Sequence, residues 1–201
     1  MWKKFIIMIF VAIFLICGCK VKDNNGGNNN KNEFTGDTSE EDGIGSLREE
    51  ISQMTLDEKV GQLVMVGLEG QQEDKLSREM IQKYKVGGFI LFQRNIKDTD
   101  QTIDLINSLK DINRENMFPL FFAVDEEGGR VTRMPQEYTK LPTSRAIGSI
   151  NREDLSFRLG SILGEQLKSL GLNMNFAPVL DIDSNPNNPV IGDRSFGPDE
   201  K

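Results

Sequence analysis

Strand-like runs alternating with helical stretches across residues 47–201 predict an α/β fold with a parallel sheet. Three observations carry this. Short apolar runs recur at Leu63–Val66, Gly87–Phe92, Leu120–Val124 and Asn173–Phe176, each of strand length. Between them lie stretches with apolar residues at helical spacing, long enough to serve as the crossovers that parallel pairing needs. The later runs also end in polar loops, as the carboxyl ends of strands do in α/β enzymes. Four such units suit either an open doubly wound sheet or part of a (β/α)8 barrel, and composition alone does not separate the two.

The elements follow in order. Leu47, Ile51 and Met54 fall at helical spacing. Thr55 then caps a new helix, with Glu58 three residues on completing a capping box and Val60 and Leu63 continuing the apolar face. The first strand, Leu63–Val66, stops at Gly67. A helix over about 73–84 turns Leu76, Met80 and Ile81 inward and leads to the second strand, whose carboxyl end carries Gln93-Arg94-Asn95. The third helix, about 99–113, lines up Ile103, Ile106, Leu109 and Ile112. After the third strand a long loop with Pro135 and Pro142 precedes a helix over about 152–170, striped by Leu155, Leu159, Ile162 and Leu167. The fourth strand runs into a polar loop containing Asp181, Asp183 and Asn185.

The N-terminus reads as an address. Lys3 and Lys4 precede the apolar stretch Phe5–Ile16, the charged region and apolar core of a secretory signal, too short for a membrane span. The stretch ends in Ile16-Cys17-Gly18-Cys19, which resembles a bacterial lipoprotein signal box. The resemblance implies a signal peptide over 1–18, lipid attachment at Cys19, and a protein anchored to the cell membrane on its extracytoplasmic face. More than one acyl chain makes such anchoring stable. Residues 19–45 are rich in Asn, Gly and acidic groups, which predicts a flexible tether ahead of a domain at 46–201.

Composition excludes several functions. Acidic residues number 31 against 24 basic, a net charge of -7, which argues against nucleic acid as a partner. Histidine is absent and both cysteines sit in the N-terminal segment, so the domain has no His-based catalytic group, thiol site or disulfide. Asp181, Asp183 and Asn185 begin like a calcium loop, but Pro186 stands where that loop needs Gly and Gly192 where it needs Glu. No metal and no cofactor are expected.

Most telling is Asp125-Glu-Glu-Gly-Gly-Arg-Val-Thr-Arg133, directly after the buried third strand. A carboxylate, two glycines that tolerate positive φ, and two arginines stand together where a strand delivers them. This segment resembles the sugar-binding loop of family 3 glycoside hydrolases, in the β-N-acetylglucosaminidase (β-N-acetylhexosaminidase) branch. Three further stretches carry the likeness: Met54–Leu63, Gly87–Asn95, and Asn175–Gly197 with its Gly-Asp-Arg-Ser-Phe-Gly ending. Four motifs in order over about 150 residues make it specific.

The resemblance implies a TIM barrel, of which this chain supplies about the first half; the expectation is therefore a fragment or truncated product. It implies that Asp125 accepts hydrogen bonds from the hydroxyls of N-acetylglucosamine, that Arg133 reaches the same ring, and that Arg194 closes over it. The bland alternative for Asp125 and Arg133 is a structural ion pair across the Gly-Gly turn, and the two roles are compatible. Glu126 and Glu127 are expected to orient the loop or face solvent, with Arg130 and Arg94 in support. In the family resembled, the nucleophile is an aspartate late in the barrel and the proton donor a histidine on a flexible loop. Neither lies in these residues, so no catalytic residue is assigned. The expected substrate is an amino-sugar oligosaccharide or muropeptide, cleaved at terminal β-linked N-acetylglucosamine by the whole enzyme and not by the 201-residue chain alone. A β-glucosidase of the same family, or a sugar-binding lipoprotein, remains the alternative.

Overall fold

The computed structural model describes residues 38–185 and 187–199. The signal segment, Cys19 and the tether up to residue 37 lie outside the described residues. The chain divides into two compact units, 1–43 and 44–201, and the second carries the whole sheet.

Helix α1 spans Thr38–Gln53, starting earlier than the composition boundary at Gly45. Helix α2 (Leu56–Gln62) opens on the expected capping box. The Glu58 amide donates to Thr55 Oγ1 at 3.3 Å, and the Thr55 amide donates to Glu58 Oε2 at 2.9 Å. Strand β1 (Met65–Gly67), helix α3 (Lys75–Gln82), strand β2 (Gly88–Leu91) and helix α4 (Thr99–Ile112) follow. Strand β3 is Phe121–Val124. Helix α5 (Ser144–Ile150) occupies the end of what reads as loop in the sequence, and helix α6 (Glu153–Ser169) leads to strand β4 (Met174–Asn175).

All strand pairs are parallel and the sheet order is β1-β2-β3-β4. That order decides the open question of architecture. A doubly wound sheet reverses direction at a switch point, whereas a barrel adds each strand beside the last. The described chain is a partial (β/α)8 barrel of four strand-helix units.

The core lies between the sheet and its helices. Phe89 pairs in register with Phe122, and Leu91 with Val124. Strand alternation puts these four on one face, and all are fully buried in a cluster with Ile81 of α3 and Leu105, Ile106 and Leu109 of α4. Other apolar positions expected inward are not covered. Leu76, Val60 and Leu63 are exposed, the last at 88%. In α6 only Leu167 is buried, while Phe157 and Ile162 lie open. Val60 and Leu63 precede β1 in the chain and Phe157 and Ile162 precede β4, the two outer strands, which among the described residues each pair on one side only. Among the described residues no helix is long and apolar enough to cross a membrane.

Candidate functional site

The site grows from the carboxyl ends of β3 and β4. Asp125 is the first residue past β3 and is half-buried. Its neighbour Glu126 turns inward and is 1% exposed. The Glu126 Oε2 oxygen accepts from the Arg133 amide at 2.6 Å, the Thr132 hydroxyl at 3.0 Å and the Met134 amide at 3.2 Å. The loop is thereby folded back onto its own start, which brings Arg133 alongside the end of the strand.

Two glycines make that fold-back possible. Gly128 and Gly129 adopt φ of +82° and +55°, the left-handed region that a Cβ disfavours. A Cβ on Gly129 would also sit 2.5 Å from the Thr143 methyl. The Glu127 amide donates to Val131 O at 3.0 Å, closing the tight turn, and the Gly129 amide donates to Leu141 O at 3.0 Å.

Asparagine side chains lock β4 beside β3. Asn175 exchanges two bonds with the Glu126 backbone: its Oδ1 accepts from the amide and its Nδ2 donates to the carbonyl, both at 3.0 Å. Asn173 does the same one turn of the pleat earlier, accepting from the Phe122 amide and donating to Leu120 O. A two-residue strand is thus held in register by side chains as well as by the ladder.

The loop after β4 returns across the site. It passes the cis Ala177–Pro178 peptide and ends in a 3-10 turn at Gly192–Arg194. Here Arg194 makes a two-pronged pair with Glu127: Nε donates to Oε2 at 2.8 Å and Nη2 to Oε1 at 2.7 Å. The Glu127 side chain is only 5% exposed. This bond holds the Arg194 guanidinium above its ordinary pKa, with the nearby carboxylates of Asp181 and Asp125 adding to the effect. Arg130 binds Asp193 at 2.8 Å and donates to Val190 O, and Arg145 binds Asp183 at 2.5 Å.

The structure therefore brings Asp125 and Arg194 into electrostatic contact, and places Arg133 on the same loop. No hydrogen bond links Asp125 to Arg133 among the described residues, so a simple structural ion pair between them is not formed. The Arg133 Nε is buried and has no partner. Glu126 and Glu127 orient the loop as expected, but neither faces solvent. Arg130 does support the loop, whereas Arg94 sits over the Phe92 ring and donates to Leu68 O, beside β1 and β2. The Asn175 bonds and the pairing of Glu127 with Arg194 are not among the sequence expectations, which take the two charged residues separately. The Asn175 position inside the long fourth motif was the only local signal. No group of His, Cys, Asp and Glu suited to a metal ion occurs among the described residues.

The model of the glycosyl hydrolase family 3 N terminal domain matches residues 55–201. The chain belongs to this family. Among relatives, β-hexosaminidase A of Pseudoalteromonas piscicida is 44% identical over 124 residues, covering 59% of this chain and 21% of that protein. A family 3 β-N-acetylglucosaminidase from Paenibacillus sp. FPU-7 superposes with a TM-score of 0.70 at 42% identity, over 73% of this chain and 28% of that one. NagZ from Neisseria gonorrhoeae, solved in complex with N-trifluoroacetyl-D-glucosamine, superposes with a TM-score of 0.62 at 31% identity, over 68% of this chain and 41% of that one. The chain thus spans less than half the length of each of these proteins.

Proposed function

We propose that this chain is the N-terminal part of a β-N-acetylhexosaminidase-like glycoside hydrolase that acts on terminal β-linked N-acetylglucosamine in peptidoglycan fragments. The observation that carries the reading is Asp125, held half-buried at the end of β3 within the field of Arg194. A carboxylate with no protein hydrogen bond beside a guanidinium with free N–H groups matches a ligand that both donates and accepts. Sugar hydroxyls do both, and charge-assisted bonds hold them firmly. Similarity to proteins named β-hexosaminidases and β-N-acetylglucosaminidases supports the amino sugar over plain glucose.

In this reading the chain supplies binding and orientation. Asp125 and Arg194 grip the ring, and Arg133, on the same loop as Asp125, completes the subsite. A retaining glycosidase needs a nucleophilic carboxylate and a separate acid/base flanking the scissile bond. The family resemblance puts those groups outside these 201 residues, so the chain alone binds without turnover. We further propose lipid attachment at Cys19 and an extracytoplasmic, membrane-anchored location, which rest on the Lys3–Cys19 pattern alone.

The test is an NMR titration of the 201-residue chain with N-acetylglucosamine and, in parallel, glucose. The reading expects saturable shifts with the amino sugar, weaker ones with glucose, and loss of both in Asp125→Ala. Equal shifts in Asp125→Ala would refute the assignment. Steady release of nitrophenol from an aryl N-acetyl-β-glucosaminide by the chain itself would refute the division of labour.

A further inference from the structure

The 3-10 turn carrying Arg194 is pinned to the rest of the site by three charged side chains, and one of them differs in kind. Arg130 and Arg145 each combine an ion pair with bonds to backbone carbonyls: Arg130 to Val190 and Ile191, Arg145 to Gly192. Both fix where the loop runs. Glu127 instead bonds only to the head group of another side chain, using both of its oxygens. It fixes where one guanidinium points.

An arginine has five N–H groups. Arg194 gives one from Nε and one from Nη2 to Glu127, and one from Nη1 to Val190 O at 3.3 Å. Two remain for a ligand. Around this guanidinium stand two further carboxylates, Asp125 and Asp181, which act on it electrostatically but do not hydrogen-bond to it. Without Glu127, only the 3.3 Å bond to Val190 O would restrain this cation from swinging onto either of them. An Arg194–Asp125 ion pair would consume the two groups that the sugar reading requires to be available.

We propose that Glu127 is a positioning residue that keeps Arg194 off Asp125 and presents its two unused N–H groups to the ligand. The role rests on the sugar-binding reading above. It has two physical parts. The buried carboxylate freezes a long side chain before binding, so less freedom is lost when the ligand arrives. It also neutralises Arg194, so that the subsite favours an uncharged sugar over an anion.

The experiment uses the full 201-residue chain labelled with 15N-arginine. The Arg194 Nε–H resonance, identified by its loss in Arg194→Lys, is expected to be sharp and protected in the parent. In Glu127→Gln, which keeps the shape of the side chain, it should shift and lose protection, while thermal melting confirms an intact fold. Binding of N-acetylglucosamine should weaken tenfold or more in Glu127→Gln and partly recover in Glu127→Asp. In an Arg194→Ala background, Glu127→Gln should cause no further loss, because Glu127 acts through Arg194. An unchanged Arg194 resonance in Glu127→Gln, or losses that multiply in the double variant, would overturn the proposal. A protected Arg194 that Glu127→Gln releases, in a parent chain that binds no N-acetylglucosamine, would support the tether and overturn the sugar reading it serves.

Discussion

Replacing Glu126 tests how the loop at the end of β3 is held. Its Oε2 accepts three hydrogen bonds in a position 1% exposed. In Glu126→Ala the Thr132 hydroxyl rotates to another acceptor, but the Arg133 and Met134 amides have no such freedom. Each buried amide left without a partner costs about 1–3 kcal/mol. Partial entry of water into the space vacated puts the expected total in the lower half of that sum, about 2–4 kcal/mol. Glu126→Gln keeps an oxygen in place and loses only the charge assistance, about 1 kcal/mol. Domains of this size are stable by only about 5–15 kcal/mol, so the difference is large enough to read. The assay is urea unfolding of the three proteins followed by circular dichroism. The expected order is parent, then Gln, then Ala, with the larger step between the last two. A loss below about 1 kcal/mol in Glu126→Ala, or equal losses in both variants, would refute the reasoning.

Other outcomes follow from the same structure. Gly148→Ala places a Cβ 2.0 Å from the Phe196 carbonyl oxygen and should destabilise by about 1–3 kcal/mol through forced separation of α5 from the 3-10 turn, read by thermal melting; an unchanged melt contradicts the close packing. The Asp74 carboxyl accepts from the Ser77 amide at the start of α3, which lowers its pKa below the ordinary 3.8, and the Thr55 amide does the same for Glu58 below 4.5. A depressed carboxyl stabilises fully above its unfolded value and loses that contribution as pH falls through its folded value. The melting temperature should therefore drop on acidification below about pH 4, less steeply in Asp74→Asn; identical slopes would contradict the capping account. Cys19→Ser should release the protein from the membrane fraction and abolish fatty-acid labelling, whereas Cys17→Ser should leave both intact; the reverse result would reassign the attachment site.

Much of the fold was legible because its signals are local. The capping box needs only Thr55 and Glu58, three residues apart, and the Gly128-Gly129 turn needs a backbone that other residues avoid. Helix α5 was not legible: seven residues with a glycine inside give too short a period, and its cap, Thr143, lies in a proline-marked loop. Exposed Leu63, Leu76 and Ile162 show a different failure. Periodicity identifies an apolar face but not what covers it, and nothing among the described residues does. In the site, the placement of Asp125 at the carboxyl end of β3 was readable from the apolar run that precedes it. Its most consequential neighbour pair was not, because Glu127 and Arg194 meet across 67 residues of sequence. Likewise the role of Asn175 depends on β4 lying beside β3, a fact of topology.

The central claim is that the carboxyl ends of β3 and β4 form an amino-sugar subsite built on Asp125 and Arg194. A crystal structure of the chain soaked with N-acetylglucosamine tests it most directly. The account predicts a ring with hydroxyls donating to Asp125 and accepting from Arg194, and with the Glu127–Arg194 pair intact. A sugar bound elsewhere, with Asp125 and Arg194 untouched, would contradict it.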